Sequence, residues 1–350
     1  MAQGIVIAVD AMGGDNAPQV VLDGCSDALA ADPELSIMLV GPAQVVEPFA
    51  ARHDRCEAVI ATEVIAMGEH PALAVRKKKD SSLVVAARLV KEGKAQGFFS
   101  AGSTGACLAA ATLIVGRVKG IARPALATIV PCPAKPVMLC DVGANADCKP
   151  EYLVQFAQMA TIYMEQVMGV QNPTVAQLNI GEEDAKGSTF AQESFAALRA
   201  LPNFVGNGEG CDILAAKYDI FVTDGFTGNV CLKTIEGTAK VLLKEIKKTM
   251  TSSTKNKLAA AVLQNDVRAL ASTLSADTYG GAPLLGVKAA CLVGHGSSNA
   301  RAVCNGVAFT ADIARHRVPE RIGQAILAAK AEEESHVDKE SAVHESGFAQ

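Results

Sequence analysis

One pattern recurs along this chain and restricts its fold more than any other feature. Each repeat is a short continuous apolar run, then a cluster of Gly, Asp, Asn, Ser or Thr, then a helix-like stretch. The stretches are IVIAVDAMGGDNAP, GFFSAGSTGACLAAATLIVG, PVMLCDVGANADCKPEYLVQFA, TVAQLNIGEEDAKG, IFVTDGFTGNVCLKTIEG and AACLVGHGSSNARAV. Apolar runs without alternation indicate strands buried on both faces. The repeat therefore predicts an α/β fold with a mainly parallel, doubly wound sheet covered by helices.

The polar clusters directly follow the predicted strands. In open parallel sheets, ligands bind at the carboxyl ends of strands. We therefore expect these clusters to line one cleft, although they are far apart in sequence. The substrate-binding residues predicted from them are Asp10, Gly13, Gly14, Asp15, Ser103, Thr104, Gly105, Asp141, Asn145, His295 and Ser297.

Two of the glycine-rich clusters suit an anion. SAGSTGA places Ser103 and Thr104 at the start of an apolar helix, and DGFTGN places Asn229 near the start of another. Free N–H groups at a helix N-terminus attract phosphate or carboxylate groups. The alternative for each cluster is a tight turn whose side chain, such as Asp224 or Asn229, only caps the helix. SAGSTGA is not a P-loop, because no Gly-Lys-Ser/Thr follows.

Three other clusters add charged or proton-transferring groups. Asp141 and Asp147 in DVGANADCKPE could hold a divalent cation. The pair is flanked by Lys149 and lacks a further acid at fixed spacing, so we predict no metal and keep the cation as the alternative. Lys186 in NIGEEDAKGS can bind phosphate as a point charge, or it is a solvated surface lysine. His295 in GHGSSNA is an acid or base, or a hydrogen-bonded structural histidine. That motif lacks the third glycine of a dinucleotide fingerprint.

Composition excludes several classes of function. The 350 residues carry a net charge of −5, which gives no overall attraction to nucleic acid. The ten cysteines form no CxxC pair, which predicts reduced thiols in a cytoplasm. There is no signal-peptide pattern, and no apolar run approaches the ~20 residues of a membrane span. We therefore expect a cytoplasmic protein.

A basic run stands out on this otherwise acidic chain. VRKKKDSS contains the consecutive cations Arg76, Lys77, Lys78 and Lys79. They form either a solvated loop or a docking surface for an anionic partner.

The segment at about 233–275 has two helical patterns joined by the polar TSSTKNK, which predicts an inserted helical hairpin. An apolar stripe that includes Leu258, Val262 and Leu263 runs along its second half. The stripe suits a subunit interface, a local core or a contact with a membrane surface. Residues 331–350 are polar and predict a disordered tail, and a chain of this length forms one large or two smaller domains.

Taken together, these motifs resemble the bacterial PlsX phosphate acyltransferases, the acyl-[acyl-carrier-protein]:phosphate acyltransferases. The resemblance covers about residues 4–320 in consistent order. It rests on AVDAMGGDNAP, VRKKKDSS, SAGSTGA, GRVKGIARPALA, DVGAN, NIGEE, TDGFTGNV, KLAAAVL, YGGAPLLG and GHGSSN. The chain departs from the family at GNGEGCDI, where relatives usually carry a branched apolar residue in place of Gly208 and Arg in place of Cys211.

The resemblance implies a single domain over residues 1–330. Its fold would be a three-layer α/β/α sandwich related to isocitrate and isopropylmalate dehydrogenases and to phosphotransacetylases. It implies transfer of a long-chain acyl group from acyl carrier protein to orthophosphate. The acyl phosphate then feeds a glycerol-3-phosphate acyltransferase in phospholipid synthesis. It also implies a homodimer bound peripherally to the inner face of the cell membrane, with the basic run as the carrier-protein docking site and the hairpin stripe as the membrane contact.

The chemistry agrees with this function, because phosphate is already anionic and a thiolate leaves readily. The enzyme must hold phosphate beside the carbonyl and stabilise an oxyanion, which positioned donors achieve without a cofactor. The predicted catalytic residues are Lys186, Asn229, Asp224 and Asn179. Lys186 and Asn229 would stabilise charge, while Asp224 would orient donors, as would Asp10 and Asp141. The alternatives are a coenzyme A-dependent phosphotransacetylase, a decarboxylating dehydrogenase, and a non-catalytic scaffold that binds acyl chains or carrier protein.

Overall fold

A computed structural model describes residues 4–273, 275–329 and 331 of the chain. The strands are β1 Ile5–Asp10, β2 Leu35–Gly41, β3 Cys56–Ile60, β4 Gly97–Ser100, β5 Ala125–Val130, β6 Val137–Cys140, β7 Val175–Leu178, β8 Phe204–Gly208, β9 Ile220–Val222, β10 Ala282–Leu285 and β11 Ala290–Val293. The helices are α1 Gln19–Ala31, α2 Ala43–Ala50, α3 Pro71–Lys77, α4 Ser82–Lys91, α5 Thr104–Ala110, α6 Pro150–Gln166, α7 Thr189–Leu198, α8 Gly210–Leu214, α9 Gly225–Met250, α10 Thr254–Thr273 and α11 Ala300–Arg315. A π-helical turn, Ala111–Val115, continues α5, and a 3₁₀ turn, Ala276–Thr278, precedes β10.

All of these strands join one sheet in the order β3-β2-β1-β4-β11-β10-β5-β6-β9-β7-β8. Two groups are parallel: β3, β2, β1, β4 and β11 form the first, and β6, β9, β7 and β8 form the second. The central strands β10 and β5 pair antiparallel with each other and with their outer neighbours. The mainly parallel sheet is confirmed, and the two groups run in opposite directions.

The register of the central strands brings the carboxyl ends of both groups to the same level. The first residue of β10 pairs with Val293, the last residue of β11. Two residues further along β10, Leu284 pairs with Leu126 of β5. The next β5 residue, Ala127, pairs with Cys140, the last residue of β6. The two groups therefore end within about one residue of each other along the strand axis, roughly 3 Å.

Helices cover both faces of the sheet, which confirms the three-layer sandwich. Along β1, Ile7 and Val9 belong to one core cluster, whereas Ala8 belongs to the other. Successive side chains of a strand point to opposite faces, so each face has its own core. Helices α1, α6 and α11 contribute to the first core, and α4, α5 and the start of α9 contribute to the second.

Helices α9 and α10 form the predicted hairpin, which begins eight residues earlier than expected, at Gly225. The 26 residues of α9 extend about 39 Å at 1.5 Å per residue. Its buried residues, Gly225 and Gly228, lie in the first turn. Among the described residues, none of the helices combines the length and apolarity needed to cross a bilayer.

The final helical segment runs over residues 318–329. Residues 332–350, which hold nearly all of the predicted tail, lie outside the described residues. The extent of the single domain, 1–330, stays a prediction.

Candidate active site

A cavity of about 500 Å³ lies where the carboxyl ends of the two strand groups face each other. Predicted site residues that line it are Asp15, Thr104, Gly105, Asn229 and His295. Its apolar walls include Leu108, Leu126, Ile129, Val142, Leu232 and Val293. Sites for small organic ligands commonly span about 300–1,000 Å³ and combine apolar walls with a few polar groups. This cavity has the size and lining of such a site.

We call the side of the cavity formed by the first strand group the first side, and the side formed by the second group the second side. On the first side, the buried carboxylate of Asp10 links two loops. Ser100, at the end of β4, donates its hydroxyl proton to Asp10 Oδ2 over 2.7 Å. The Gly102 amide donates to the Ser100 hydroxyl oxygen over 3.1 Å, and the Met12 amide donates to Asp10 Oδ1 over 3.1 Å. The loop after β4 is therefore fixed against the loop after β1.

Burial raises the pKa of the Asp10 carboxyl, and hydrogen bonds from Ser82 and Ser100 offset part of that rise. Gly13 is required there by close packing, because a Cβ would lie 2.7 Å from Ser100 Oγ and 2.8 Å from the Gly102 nitrogen. Gly14 follows with a φ of 106°, which glycine adopts readily. Asp10 and Gly13 thus support the cavity from behind.

Helix α5 begins at the cavity with its first N–H groups uncapped. Within the described chain, the Ser103 side chain at the N-cap makes no capping hydrogen bond, while Thr104 and Gly105 line the cavity. Helices α9 and α11 also begin near the cavity, but side-chain oxygens of Asp224 and Asn299 cap them. The first N–H groups of a helix have no intrahelical acceptor. Those of α5 are therefore available to an anion.

On the second side, the carboxylate of Asp141 accepts four hydrogen bonds. Oδ1 accepts from the Leu126 amide at 3.0 Å and the Ala144 amide at 3.1 Å. Oδ2 accepts from the Asn145 amide and from Asn145 Nδ2, each at 2.8 Å. Burial raises the pKa of Asp141, and the bond from the Asn145 side chain offsets part of the rise. A carboxylate has about four lone-pair positions, and these donors fill them.

This arrangement gives Asp141 and Asn145 a structural role in holding the loop after β6 against β5. The pairing of Asp141 with Asp147 at a cation, which the sequence left as an alternative, would compete with those N–H donors. Among the described residues, no group of three or more His, Cys, Asp or Glu side chains is placed to hold a metal ion.

Helix α9 begins at Gly225, one turn before the predicted start near Asn229. The physical reason is its cap: Asp224 accepts from the Thr227 amide at 2.8 Å and from the Thr227 hydroxyl at 2.7 Å. Asp224 therefore caps α9, which is the alternative given above for the DGFTGN cluster. The start of α9 is tightly packed, since a Cβ on Gly228 would lie 1.9 Å from the Asp141 carbonyl oxygen.

Asn229 lies beyond the first turn of α9 and lines the cavity. Its Cγ lies 3.7 Å from the position of a Cβ on Gly143, in the loop after β6. Gly143 has a φ of 128° and also lines the cavity. The Asn229 amide therefore faces the cavity beside an exposed backbone segment.

His295 presents one ring nitrogen to its own loop. The Ser297 amide donates to His295 Nδ1 over 3.2 Å, and Ser297 Oγ lies 2.8 Å from the same nitrogen. A backbone N–H can only donate, so Nδ1 is the acceptor and the neutral ring carries its proton on Nε2. Ser297 thus sets the tautomer of His295, which lines the cavity.

Asn179 and Lys186 belong to the loop between β7 and α7, and neither is among the described residues that line the cavity. Asn179 Nδ2 donates to the Lys186 carbonyl over 3.0 Å and to Asn207 Oδ1 over 3.1 Å. Asn179 therefore shapes this loop, and the Lys186 side chain is exposed. β7 lies two positions from β6 in the sheet, about 10 Å away at 4.8 Å per strand. Their catalytic roles stay predictions.

Sequence analysis missed several residues of the site. Those that line the cavity are Met67, Lys233, Glu236, Asp277 and Tyr279. Lys233 and Glu236 form an ion pair at 2.8 Å. They follow Asn229 by four and seven residues, so helical spacing places them on its face. Ser100 is the first residue of the SAGSTGA cluster, but it was not singled out because the argument concerned Ser103 and Thr104 at the start of the helix. The segment with Asp277 and Tyr279 follows the hairpin and has no strand-end pattern.

Comparison with known proteins gives three findings. A sequence profile for a family described as "Fatty acid synthesis protein" matches residues 5–321. A phosphate acyltransferase of Clostridium acetobutylicum is 43% identical over 327 residues, which cover 92% of this chain and 99% of the relative. A phosphate acyltransferase of Heliobacterium modesticaldum is 48% identical over 305 residues, which cover 85% and 91%.

Solved structures with a similar fold include a phosphotransacetylase from Streptococcus pyogenes, with a TM-score of 0.57 and 15% identity over 90% of this chain and 95% of that one. The EutD phosphotransacetylase from Staphylococcus aureus has a TM-score of 0.55 and 15% identity over 89% and 94%. At this identity, the likeness concerns the fold alone.

Proposed function

This chain belongs to the PlsX phosphate acyltransferase family, and we propose that it transfers a long-chain acyl group from an acyl carrier protein thioester to orthophosphate. The product is an acyl phosphate for phospholipid synthesis. The observation that supports this most strongly is the uncapped start of α5 in a cavity that also holds Asn229 and apolar walls. One cavity thus offers a place for an anion, a carbonyl oxygen and a hydrocarbon chain.

The reaction requires one addition and one elimination. A phosphate oxygen attacks the thioester carbonyl carbon, and the carbonyl electron pair moves onto oxygen to give a tetrahedral oxyanion. The oxyanion then re-forms the carbonyl while the carbon–sulfur bond breaks, and the carrier leaves as a thiolate that takes a proton from water. The protein must align the reactants and stabilise the oxyanion.

The phosphate would bind on the first side of the cavity. Donors there are the first-turn amides of α5, the Thr104 hydroxyl and the Nε2–H of His295, with Ser103 beside them. Asp10 and Ser100 hold the Gly102 amide in place, so they position this loop without touching the ligand. Backbone donors suit phosphate because they are fixed before it arrives.

The thioester carbonyl would bind on the second side, with Asn229 Nδ2 donating to the developing oxyanion. One positioned donor of this kind is worth about 3–4 kcal/mol in the transition state. We propose that Lys186, in the loop after β7, extends toward the second side and supplies additional positive charge. The acyl chain would lie along the apolar walls, where each buried methylene contributes about 0.8 kcal/mol.

Acyl carrier proteins are strongly acidic, and we propose that their docking region includes exposed cations of the basic run. Arg76, Lys77 and Lys79 are exposed. Lys78 differs, because it forms an ion pair with Glu69 at 2.7 Å and also donates to the Val64 carbonyl. Charge attraction here would speed encounter with an acidic partner.

The hairpin is our proposed contact with the membrane surface. Leu258, Val262 and Leu263 are 68%, 82% and 49% exposed, so this stripe is not local core within the described chain. An exposed apolar stripe flanked by Lys255 and Lys257 fits a headgroup interface. Vesicle flotation should weaken in a Leu258→Glu, Val262→Glu double variant. Flotation equal to that of wild type would remove the membrane proposal and favour the homodimer as the partner of this stripe.

The function is tested with purified protein, palmitoyl acyl carrier protein and inorganic phosphate, without added metal. Acyl phosphate is trapped with hydroxylamine as the hydroxamate. We expect hydroxamate to form in proportion to enzyme and only when phosphate is present. Phosphate-independent loss of thioester would indicate a hydrolase, and no loss at all would indicate a binding scaffold.

A coenzyme A-dependent phosphotransacetylase is the second candidate, because the solved structures of similar fold are phosphotransacetylases. Parallel reactions with acetyl coenzyme A and palmitoyl coenzyme A separate the two. We expect the carrier-protein thioester to give the highest kcat/KM. A higher kcat/KM with either coenzyme A thioester would favour the second candidate.

A further inference from the structure

A second depression lies outside the cavity, at the far end of α5. It has a volume of about 660 Å³ and is bounded by the end of α3, by α4 and by the π-helical turn after α5. We call it the basic groove. Its residues are Arg76, Lys79, Arg88, Lys91, Leu113 and Ile114, with Val75 and Val84 beneath them.

The charge of the basic groove is strongly positive. Its four cations are exposed, on a chain whose net charge is −5. The acid at its edge, Glu92, pairs with Lys94 at 2.9 Å. Asp80, near Arg88, instead accepts hydrogen bonds from the Thr62 amide and hydroxyl. Arg88 also interacts electrostatically with both of these carboxylates, but within the described residues neither is in an ion pair with a groove cation.

The basic groove is not the run of four cations that the sequence predicts. Lys78 turns away from it to Glu69. Arg88 and Lys91 enter it from α4, and Arg88 is held in place by a hydrogen bond to the Lys79 carbonyl at 2.7 Å. The groove was not predicted from the sequence, because two of its four cations, Arg88 and Lys91, belong to the next helix, α4.

An apolar contact lies within the ring of cations. Leu113 is 49% exposed and belongs to the π-helical turn Ala111–Val115. Single π-helical turns are frequent at functional sites. Protein interfaces commonly place an apolar anchor inside a polar rim. The groove has that arrangement, with a rim of four cations and one carboxylate, Glu92.

Two helices lead from the cavity to the basic groove. Thr104 and Leu108 line the cavity, and Leu113 on the same helical stretch lies in the groove, about 14 Å from Thr104 along the helix axis. The start of α3 is equally close to the cavity, since a Cβ on Gly105 would lie 2.6 Å from Pro71 Cγ. A carrier protein presents its thioester on an extended arm, so its docking face must lie some distance from the reaction.

We propose that the basic groove is the docking surface for acyl carrier protein. An acidic face of the carrier packs on Arg76, Lys79, Arg88 and Lys91, with an apolar side chain against Leu113. This inference rests on the proposed function and names the surface that serves it. Charge complementarity selects this partner, because an anionic protein gains from all four cations at once.

The test compares an Arg88→Glu, Lys91→Glu double variant with wild type, using palmitoyl acyl carrier protein and phosphate. The matched control is Lys240→Glu, Lys244→Glu on the hairpin, which changes net charge equally. We expect the groove variant to raise KM for the carrier substrate at least tenfold, with kcat at saturating carrier and KM for phosphate unchanged. The control should stay within twofold of wild type.

Salt gives a second readout. Wild-type KM for the carrier should rise steeply with ionic strength, and the groove variant should lose most of that slope. Equal KM changes in the groove and control variants would overturn the proposal, since net charge alone would explain them. Unchanged KM in both would overturn it too. Failure of wild type to make acyl phosphate would instead overturn the proposed function, so the two failures are distinct.

Discussion

The two sides of the cavity are built alike and leave different groups free. Each has a buried aspartate at the end of a strand: Asp10 is the last residue of β1, and Asp141 directly follows β6. The Asp10 carboxylate acts through the Ser100 hydroxyl, and the neighbouring helix α5 starts uncapped. The Asp141 carboxylate takes four N–H donors, and α9 beside it is capped by Asp224. Backbone donors thus remain on the first side, and one side-chain amide, Asn229, on the second.

This difference suits the two sides to different parts of the proposed reaction. An anion needs several fixed donors, which the first side provides, whereas a carbonyl oxygen needs one or two, which the second side provides. SAGSTGA and DGFTGN, two glycine-rich turns of similar composition, therefore have different roles in this account. The first leaves donors for a ligand, and the second uses its donors to start a helix.

The largest expected effect is on the second side, at Asn229. Asn229→Ala removes the donor assigned to the oxyanion and should lower kcat about 10²–10³-fold, which is about 3–4 kcal/mol. KM for phosphate should stay unchanged, because phosphate binds on the other side. Steady-state kinetics with Val230→Ala as the control check this. A kcat within threefold of wild type would break the assignment.

Tight packing at the start of α9 is tested by two glycines of the same helix. Gly228→Ala forces a Cβ against the Asp141 carbonyl oxygen and should lower the free energy of unfolding by about 3 kcal/mol. Gly237→Ala, whose Cβ would meet open space, should raise it by about 0.5–1 kcal/mol. Urea unfolding of both variants measures the difference. Equal stabilities would contradict the close approach.

A Lys186→Met variant tests whether the loop after β7 supplies positive charge to the second side. Lys233 already lines the cavity, but Glu236 pairs with it at 2.8 Å. If Lys186 supplies the missing charge, Lys186→Met lowers kcat at least tenfold, about 1.4 kcal/mol, with an unchanged circular dichroism spectrum. Near-normal turnover would remove Lys186 from the mechanism.

A smaller effect is expected on the first side, at Ser100. Ser100→Ala leaves Asp10 and the Gly102 amide without their shared partner, which should cost about 1 kcal/mol in phosphate binding. KM for phosphate should rise about fivefold while KM for the carrier substrate is unchanged. Ser188→Ala, which removes the cap of α7, is the control. A change confined to stability would make Ser100 structural only.

The sequence predicted the fold well because its strongest signals are local. Continuous apolar runs followed by turn residues identified parallel strands, and the helical hairpin emerged from its own periodicity. The reversal of β10 and β5 was not predicted, because a buried run such as ALATIV carries no sign of its direction. The single cleft was inferred because ligands bind at the carboxyl ends of parallel strands. The sequence did not show why both strand groups end at the same level, because this depends on how β10 and β5 pair with each other and with their neighbours.

The site was predicted less completely, for reasons seen in particular residues. Thr104, Asn229 and His295 were found because each lies in a polar cluster after a strand. Asp10 and Asp141 were found in the same way and were predicted both to bind substrate and to orient donors. Their hydrogen bonds favour the orienting role, behind the cavity. Such a distinction depends on burial and donor geometry, which a motif does not encode.

The central claim is that the first side of the cavity binds phosphate through the start of α5. Amide hydrogen exchange of the intact protein, with and without saturating inorganic phosphate, tests it most directly. The account predicts slower exchange at residues 103–106, since the Gly102 amide already donates to the Ser100 hydroxyl. It predicts no change at Gly225 and Thr227, whose amides already donate to the Asn145 carbonyl and to Asp224. Protection at the start of α9 instead, or at neither helix, would contradict it.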